Sequence, residues 1–512
     1  MELRQFSLSP ATFLTILLLI LAVKYLSKTI VSKRPTLNLP PGPWKLPLIG
    51  SIHHLIANQL PLHTLRDLAK KHGPLMHLQL GEIPTVVISS PRVAHEVLKT
   101  HDIALANRPE LLSIKILCYN YSDIAFAPYG NYWRQMRKLC ALELLSAKNV
   151  QSFVTIREEE AFNLVESVKL TSGSTINLTE KMYALTSAVI CRAAFGKRRK
   201  DESAYFMSLI RELSLMITGL DISEVFPSFK FLQVITGTKA KLVKLHKKLD
   251  KVLDLIIKEH KQKLDGEEES STKNDLVNLL LKLQESGTLD FPFSTDNIKA
   301  VILDIFVAGT ETSATVLDWA MVELMRNPKV MEKAQTELRR ILKGKHKVTE
   351  SDLKQFSYLK LVIKETMRLH PPLPLLLPRE CREHCVIDGY DIPMKAKVIV
   401  NAWAINRDAE FWEDAESFLP ERFINFDCST NMEFIGQNFE YLPFGGGRRI
   451  CPGISFGLAT IQLPLTQLIY YFNWKLPHGM KPEDVDVTES SGTSCGRKDN
   501  LCVIATCNEH GI

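Results

Sequence analysis

Phe444-Gly-Gly-Gly-Arg-Arg-Ile-Cys451-Pro-Gly453 is the run whose reading decides the rest of the chain. Three successive glycines let a backbone approach a flat ligand closely. Cys451 stands in the same loop beside Arg448 and Arg449, cations that favour a thiolate. Pro452-Gly453 then gives way to ISFGLATIQLPLTQLIYYF (454–472), predicted to be helical at least to Leu463. The thiolate would therefore sit near a helix N-terminus, which also favours negative charge. A thiolate flanked by glycines suits ligation of a large planar metal complex; the competing reading is a turn holding a buried, inert cysteine. Gly453-Ile-Ser455-Phe-Gly457 also matches the Gly-x-Ser-x-Gly nucleophile elbow. That motif needs a strand running into it, whereas a glycine loop and Cys-Pro precede it here.

Working outward, apolar or small residues fall at 298, 302, 305, 309, 312, 316 and 319, one continuous helical face. The spacing predicts a core-crossing helix over 297–326, stopped by Asn327-Pro328. It carries Ala308-Gly309-Thr310-Glu311-Thr312. A glycine and a hydroxyl on the apolar face could form a groove for dioxygen and a water, with Glu311 relaying protons. Two plainer readings compete. Thr312 could back-bond to a carbonyl at a kink, and Asp304, Glu311 and Asp318 recur every seven residues as a polar seam would. Elsewhere Glu365-Thr-Met-Arg368 forms an i, i+3 pair and Pro420-Glu-Arg-Phe423 supplies a second arginine. Trp133-Arg-Gln-Met-Arg137 sets an indole and a guanidinium one turn apart, where Arg137 could meet an anionic group or simply be solvated.

The 512 residues are 45% hydrophobic and 23% charged, which excludes a disordered or collagen-like chain. The net charge of +6 is spread without a long basic run, so no nucleic-acid partner is expected. Ten cysteines without a Cys-x-x-Cys pair fit neither a disulfide scaffold nor a zinc ribbon. Residues 1–34 are predicted to form an uncleaved transmembrane anchor. Ala11–Val23 carries no charge, and Lys24, Lys28, Lys33 and Arg34 follow it, which keeps the bulk of the chain in the cytosol. Residues 35–50, with four prolines in LPPGPWKLPLIG (39–50), read as a stiff hinge. No linker divides 51–512, so one mainly α domain with a small β part is expected. The strand candidates are Leu75–Leu80, Thr85–Ser89, Val386–Ile392, Val398–Asn401 and Leu501–Thr506. The polar stretch DGEEESSTKND (265–275) reads as an exposed loop. No ATP or dinucleotide motif occurs, so any redox chemistry needs electrons from another protein.

Together these residues resemble the cytochrome P-450 superfamily of haem-thiolate monooxygenases. The Phe-x-x-Gly-x-Arg-x-Cys-x-Gly string is complete, and the order of anchor, hinge, Trp-x-x-x-Arg, oxygen-groove helix, Glu-x-x-Arg, Pro-Glu-Arg-Phe and Cys loop matches. The resemblance implies a helical prism around haem b with Cys451 as the iron ligand. It implies Trp133, Arg137, Arg379 and Arg449 as partners of the haem propionates, and Glu365, Arg368 and Arg422 as a structural triad. Thr312 with Glu311 would serve protonation of dioxygen. HGPLMHLQLGE (72–82), SDIAFAPYGNYWRQMRKLC and FEYLPFGGGRRICPGISFGLA are similar to plant endoplasmic-reticulum members, most of all the subfamily of premnaspirodiene oxygenase and epi-aristolochene dihydroxylase.

That implies hydroxylation of a small lipophilic metabolite, a terpenoid first, with an indole alkaloid or flavonoid as the alternative. Electrons would come from NADPH through a cytochrome P-450 reductase, docking on Arg134, Lys138 and Arg448. Segments 105–125, Met207–Phe231, Ile302–Ala308, Leu373–Leu377 and the turn near Ser494 would shape the pocket. Reductase-independent peroxide rearrangement and a haem sensor or carrier are the other classes; an intact Thr312 and Cys loop argue against both.

Overall fold

The computed structural model describes residues 37–508 other than 57–58, 197–199, 218–221, 266–274, 288, 290, 425–437 and 491. The predicted anchor 1–34, the start of the hinge and nearly all of the 265–275 loop lie outside the described residues. Eight helices organise the site: α1 Asn131–Leu139, α2 Leu178–Phe195, α3 Lys200–Met216, α4 Thr238–Asp265, α5 Thr295–Arg326, α6 Pro328–Leu342, α7 Tyr358–Leu369 and α8 Ile454–Tyr471.

Helix α5 is the axis of the molecule. Ser294 caps it: its hydroxyl accepts from the Asn297 N–H while the Asn297 side chain accepts from the Ser294 N–H. Side chains are buried on nearly every face, as an apolar helix requires when it crosses a core. It ends at Asn327, and Pro328 opens α6, where its missing N–H has no helical partner to lose. Helices α2, α3, α7 and α8 pack around it. Among the described residues, α5 is the one helix long and apolar enough to cross a membrane, and the fold buries it instead.

The strands are β1 Leu75–Leu80, β2 Ile83–Ile88, β3 Thr175–Asn177, β4 Arg379–Glu380, β5 Cys385–Ile387, β6 Tyr390–Ile392, β7 Lys397–Val400, β8 Phe472–Lys475 and β9 Cys502–Cys507. The main sheet runs β1-β2-β7-β4. β1 pairs antiparallel with β2, β2 parallel with β7 (Thr85 opposite Lys397), and β7 antiparallel with β4 (Val398 opposite Arg379). The sheet thus carries Arg379 on its edge strand. A second sheet runs β3-β9-β8. The stretch 386–392, predicted as one strand, is a hairpin instead. Asp388 and Gly389 both adopt positive φ, 51° and 77°, the turn that an Asp-Gly pair favours between two strands.

Residues 37–50 are not a free elbow. The His77 N–H donates to the Pro41 carbonyl at 2.8 Å, and Gly50 bridges to Leu80, so the hinge lies against β1. A Cβ on Gly42 would fall 1.9 Å from the His77 carbonyl oxygen, so glycine alone permits that approach.

Candidate active site around Cys451

Cys451 sits between a short 3-10 turn, Gly447–Arg449, and the start of α8. No strand runs into Gly453–Gly457, so the nucleophile-elbow reading fails. The loop is closed by the Cys451 N–H donating to the Phe444 carbonyl at 3.1 Å. The Gly453 N–H points at Cys451 Sγ at 3.3 Å. Gly447 serves packing rather than a ligand. Its φ is +67°, and a Cβ there would lie 2.3 Å from the Leu98 carbonyl oxygen. Gly445 and Gly446 are the two of the three that line the cavity above Cys451.

The expected action of Arg448 and Arg449 on the thiol is not what the fold builds. Arg448 is exposed, its backbone N–H held by Asp102 at 2.8 Å. Arg449 turns its donors to the carbonyls of Ala106, Ile124 and Ala127. The cation that acts on Cys451 is Arg137. Burial pushes the thiol above its ordinary value, against the pull of the Gly453 N–H and Arg137. A bound metal cation reverses that balance, because a coordinating thiol is deprotonated outright.

One cavity gathers every residue predicted for the site: Trp133, Arg137, Glu311, Thr312, Arg379, Arg449 and Cys451 all line it. Trp133 Nε1 donates to the Ile124 carbonyl at 3.0 Å, and the Arg449 guanidinium lies 4.2 Å from its ring centre. Arg379 donates to Asp102 at 2.8 Å and to the Gly446 carbonyl at 2.7 Å. Arg108, which sequence reasoning missed, joins them, donating to the carbonyls of Ala125, Leu377 and Pro378. Burial disfavours the charge on each of Arg108, Arg137, Arg379 and Arg449, and Arg108 and Arg449 are further opposed by their neighbouring cations. Arg137 lies within electrostatic reach of Cys451, so a thiolate there would support its charge. Arg108 and Arg449 donate to backbone carbonyls and Arg379 shares Asp102, so the guanidinium groups buried at this wall can still receive a ligand bearing carboxylates, such as a haem with its two propionates.

The opposite wall is α5. The Thr312 hydroxyl donates to the Ala308 carbonyl, and both residues line the cavity. The back-bonding reading is the one the fold builds, and it leaves the hydroxyl oxygen free to accept a further hydrogen bond. Glu311 is hydrogen-bonded to Ser214 of α3; burial raises its pKa, offset by Ser214 and Arg211. Asp304, two turns earlier, accepts from the Ile124 N–H at 2.5 Å and the Ala125 N–H at 3.3 Å. Ile124 is thus pinned on both sides, its N–H by α5 and its carbonyl by Trp133 and Arg449. The predicted pocket segments converge here through Ile114, Leu213, Leu303, Leu373, Leu377 and Ser494.

Arg108 and Asp102 carry no local motif, so no sequence signal marked their roles, and Asp304 was marked only as one member of a polar seam. Glu365, by contrast, is fully buried, not a surface partner. It accepts from Arg368 Nε at 2.7 Å, Arg368 Nη2 at 2.8 Å, Arg422 Nε at 3.0 Å and the Leu419 N–H at 2.8 Å.

A cysteine loop under a cation-ringed cavity, with a hydroxyl-bearing helix opposite, defines a haem-thiolate oxygenase site. The profile described as Cytochrome P450 matches residues 40–502, and the chain belongs to that family, whose members of this type are monooxygenases. It is 54% identical over 504 residues to premnaspirodiene oxygenase of Hyoscyamus muticus, covering 98% of each chain. It is 51% identical to 5-epiaristolochene 1,3-dihydroxylase of Nicotiana tabacum, again covering 98% of each. A zebrafish cytochrome P450 solved with progesterone superposes with a TM-score of 0.75 at 25% identity, covering 88% of this chain and 100% of that one.

Proposed function

We propose that this monooxygenase hydroxylates a small terpenoid, of the class named in its sesquiterpene-oxidising relatives. The observation that carries the reading is the lining of one cavity, in which Cys451 and the guanidinium groups share the walls with apolar side chains such as Leu213, Leu303, Val307, Leu373 and Leu376. A lipophilic substrate would be held by shape, with few polar groups to anchor it.

Cys451 and Arg108, Arg137, Arg379 and Arg449, the last stacked on Trp133, would hold haem b, which when bound would supply dioxygen activation for insertion of one oxygen atom into a C–H bond. The Thr312 hydroxyl, whose own proton is held by the Ala308 carbonyl, would accept from a water at the α5 wall, and Glu311, whose protonated form is favoured by its burial, would supply protons through that water. The apolar wall excludes bulk water, so protons arrive by this route. Asp304 fixes Ile124 at the cavity wall. Arg134, Lys138 and Arg448 are exposed on the Cys451 side and offer a basic face to an acidic NADPH–cytochrome P450 reductase. Residues 1–34 anchor the chain in the endoplasmic reticulum, 35–50 form the hinge and 51–512 the catalytic domain.

The test is product analysis in yeast expressing the chain with a reductase, fed a sesquiterpene panel beside tabersonine and flavonoids. Hydroxylated sesquiterpene is the expected product. Turnover confined to the alkaloid or flavonoid would refute the substrate class while leaving the monooxygenase intact.

A further inference from the structure

A second large cavity lies away from Cys451, a groove of about 1050 Å³ between α3 and α4. Lys244, Lys247, Lys248 and Lys251 stand at i, i+3, i+4 and i+7 of α4 and so share one face of it; Lys239 extends the row. Glu202 and Glu259 are the acidic residues of the lining, and Glu212 lies 3.7 Å from Lys248. Five lysines against two lining glutamates leave an excess of three positive charges. Like charges one turn apart repel, and this repulsion is retained along the whole row.

Below the lysines the groove is apolar. Phe206 and Ile256 form its floor, each about 1% exposed, and Phe195 joins them. Its mouth runs out onto the 232–235 turn, where Val234 is 72% and Ile235 59% exposed, with Leu215 and Ile222 exposed nearby in the chain. A basic rim, an apolar floor and an exposed apolar lip suit an amphiphile with an anionic head and a hydrocarbon tail.

We propose that this groove binds an anionic phospholipid, its headgroup phosphate and carboxylate on the α4 lysines and an acyl chain along Val243, Val252 and Ile256. An acidic protein segment would match the lysines but leave the apolar floor and lip unused. The floor also reaches the catalytic core. Phe195 stacks on Phe306 of α5 with ring centres 4.8 Å apart, and Phe206 meets the same ring edge-on at 4.9 Å.

The experiment uses the full-length haem-loaded chain in neutral detergent, with bound lipid counted by native mass spectrometry. Phosphatidylserine, phosphatidylcholine and the tail-less glycerophosphoserine are added in separate arms. The expected result is retention of phosphatidylserine over phosphatidylcholine, weakened by salt. In the triple variant Lys244→Gln/Lys247→Gln/Lys251→Gln that affinity falls about tenfold or more, while the haem spectrum is unchanged. Equal retention of the two lipids, or an unaltered triple variant, overturns the proposal. Glycerophosphoserine binding as tightly as phosphatidylserine overturns it too, because the site would then take soluble anions. So does displacement of bound lipid by an acidic peptide at comparable concentration, which would make the groove a protein-docking surface. Should the triple variant lose haem, photo-crosslinking of wild-type protein with a phosphatidylserine probe decides: adducts within 239–256 support the site, and adducts elsewhere refute it.

Discussion

Glu365→Gln is the substitution whose cost the structure fixes most tightly. The carboxylate is fully buried and accepts four hydrogen bonds, three from guanidinium nitrogens and one from the Leu419 N–H. Glutamine keeps the shape but places an NH₂ among donors, and it leaves the Arg368 charge buried without a counter-ion. Breaking a buried ion pair from one side costs about 3–5 kcal/mol. That is a large part of a total stability of roughly 5–15 kcal/mol. Arg368→Met should cost at least as much, because Arg368 also donates to the carbonyls of Asn406 and Ala415, which would lose that donor, and shares the Ser417 carbonyl with Arg422. Arg422→Met should cost about 1–2 kcal/mol, since its other partners, the Glu413 and Asp414 carbonyls, lie at the exposed rim. The assay is the reduced carbon monoxide spectrum per unit of immunodetected protein in microsomes, followed through its decay on heating. Glu365→Gln and Arg368→Met should lose most of the signal, and Arg422→Met should keep much of it. Wild-type haem content and decay in Glu365→Gln would refute the assignment of the triad as a buried brace.

Cys451→Ala should abolish the thiolate signature of the reduced carbon monoxide complex; its persistence would place the ligand elsewhere. Thr312→Ala should uncouple the reaction, so that NADPH consumption continues, hydrogen peroxide rises and product falls, while Thr312→Ser keeps much of the coupling. Weaker substrate binding with full coupling would instead make Thr312 a pocket wall. Burial and the neighbouring Asp123 raise Asp304 above its ordinary 3.8. The folded state then binds more protons than the unfolded one, so stability is lost as pH rises from about 4 through the folded value. Asp304→Asn keeps an acceptor for Ile124 and should flatten that loss, whereas Asp304→Leu should free the 121–127 segment and lower haem retention; an unchanged pH slope in Asp304→Asn would show that the pair does not titrate in this way. Gly447→Ala forces a Cβ into the Leu98 carbonyl at positive φ, and haem-loaded protein should fall severalfold; a wild-type yield would contradict the packing argument.

The run around Cys451, the α5 periodicity and the Asn327-Pro328 stop were legible in the chain because each is local. A capping pair, a proline or a repeat of three and four acts within a turn or two of itself. The same holds for the family and the monooxygenase chemistry, which rest on short strings with fixed internal spacing. Val386–Ile392 was misread although the signal was local: Asp388-Gly389 is a hairpin turn pair, and the strands on either side of it are only three residues long. What the chain could not disclose is which distant groups meet. Arg108 and Arg449 are 341 positions apart in sequence, yet they oppose each other's charge at one cavity wall. The i, i+3 spacing of Glu365 and Arg368 does not disclose that Leu419 and Arg422 close over the carboxylate. The cation beside Cys451 proved to be Arg137, not its sequence neighbour Arg449, because a loop turns successive side chains to different sides while a helix from elsewhere can aim one residue at the sulfur. Burial and long-range charge arise only when the chain closes, and they set the proton and ion balance of this site.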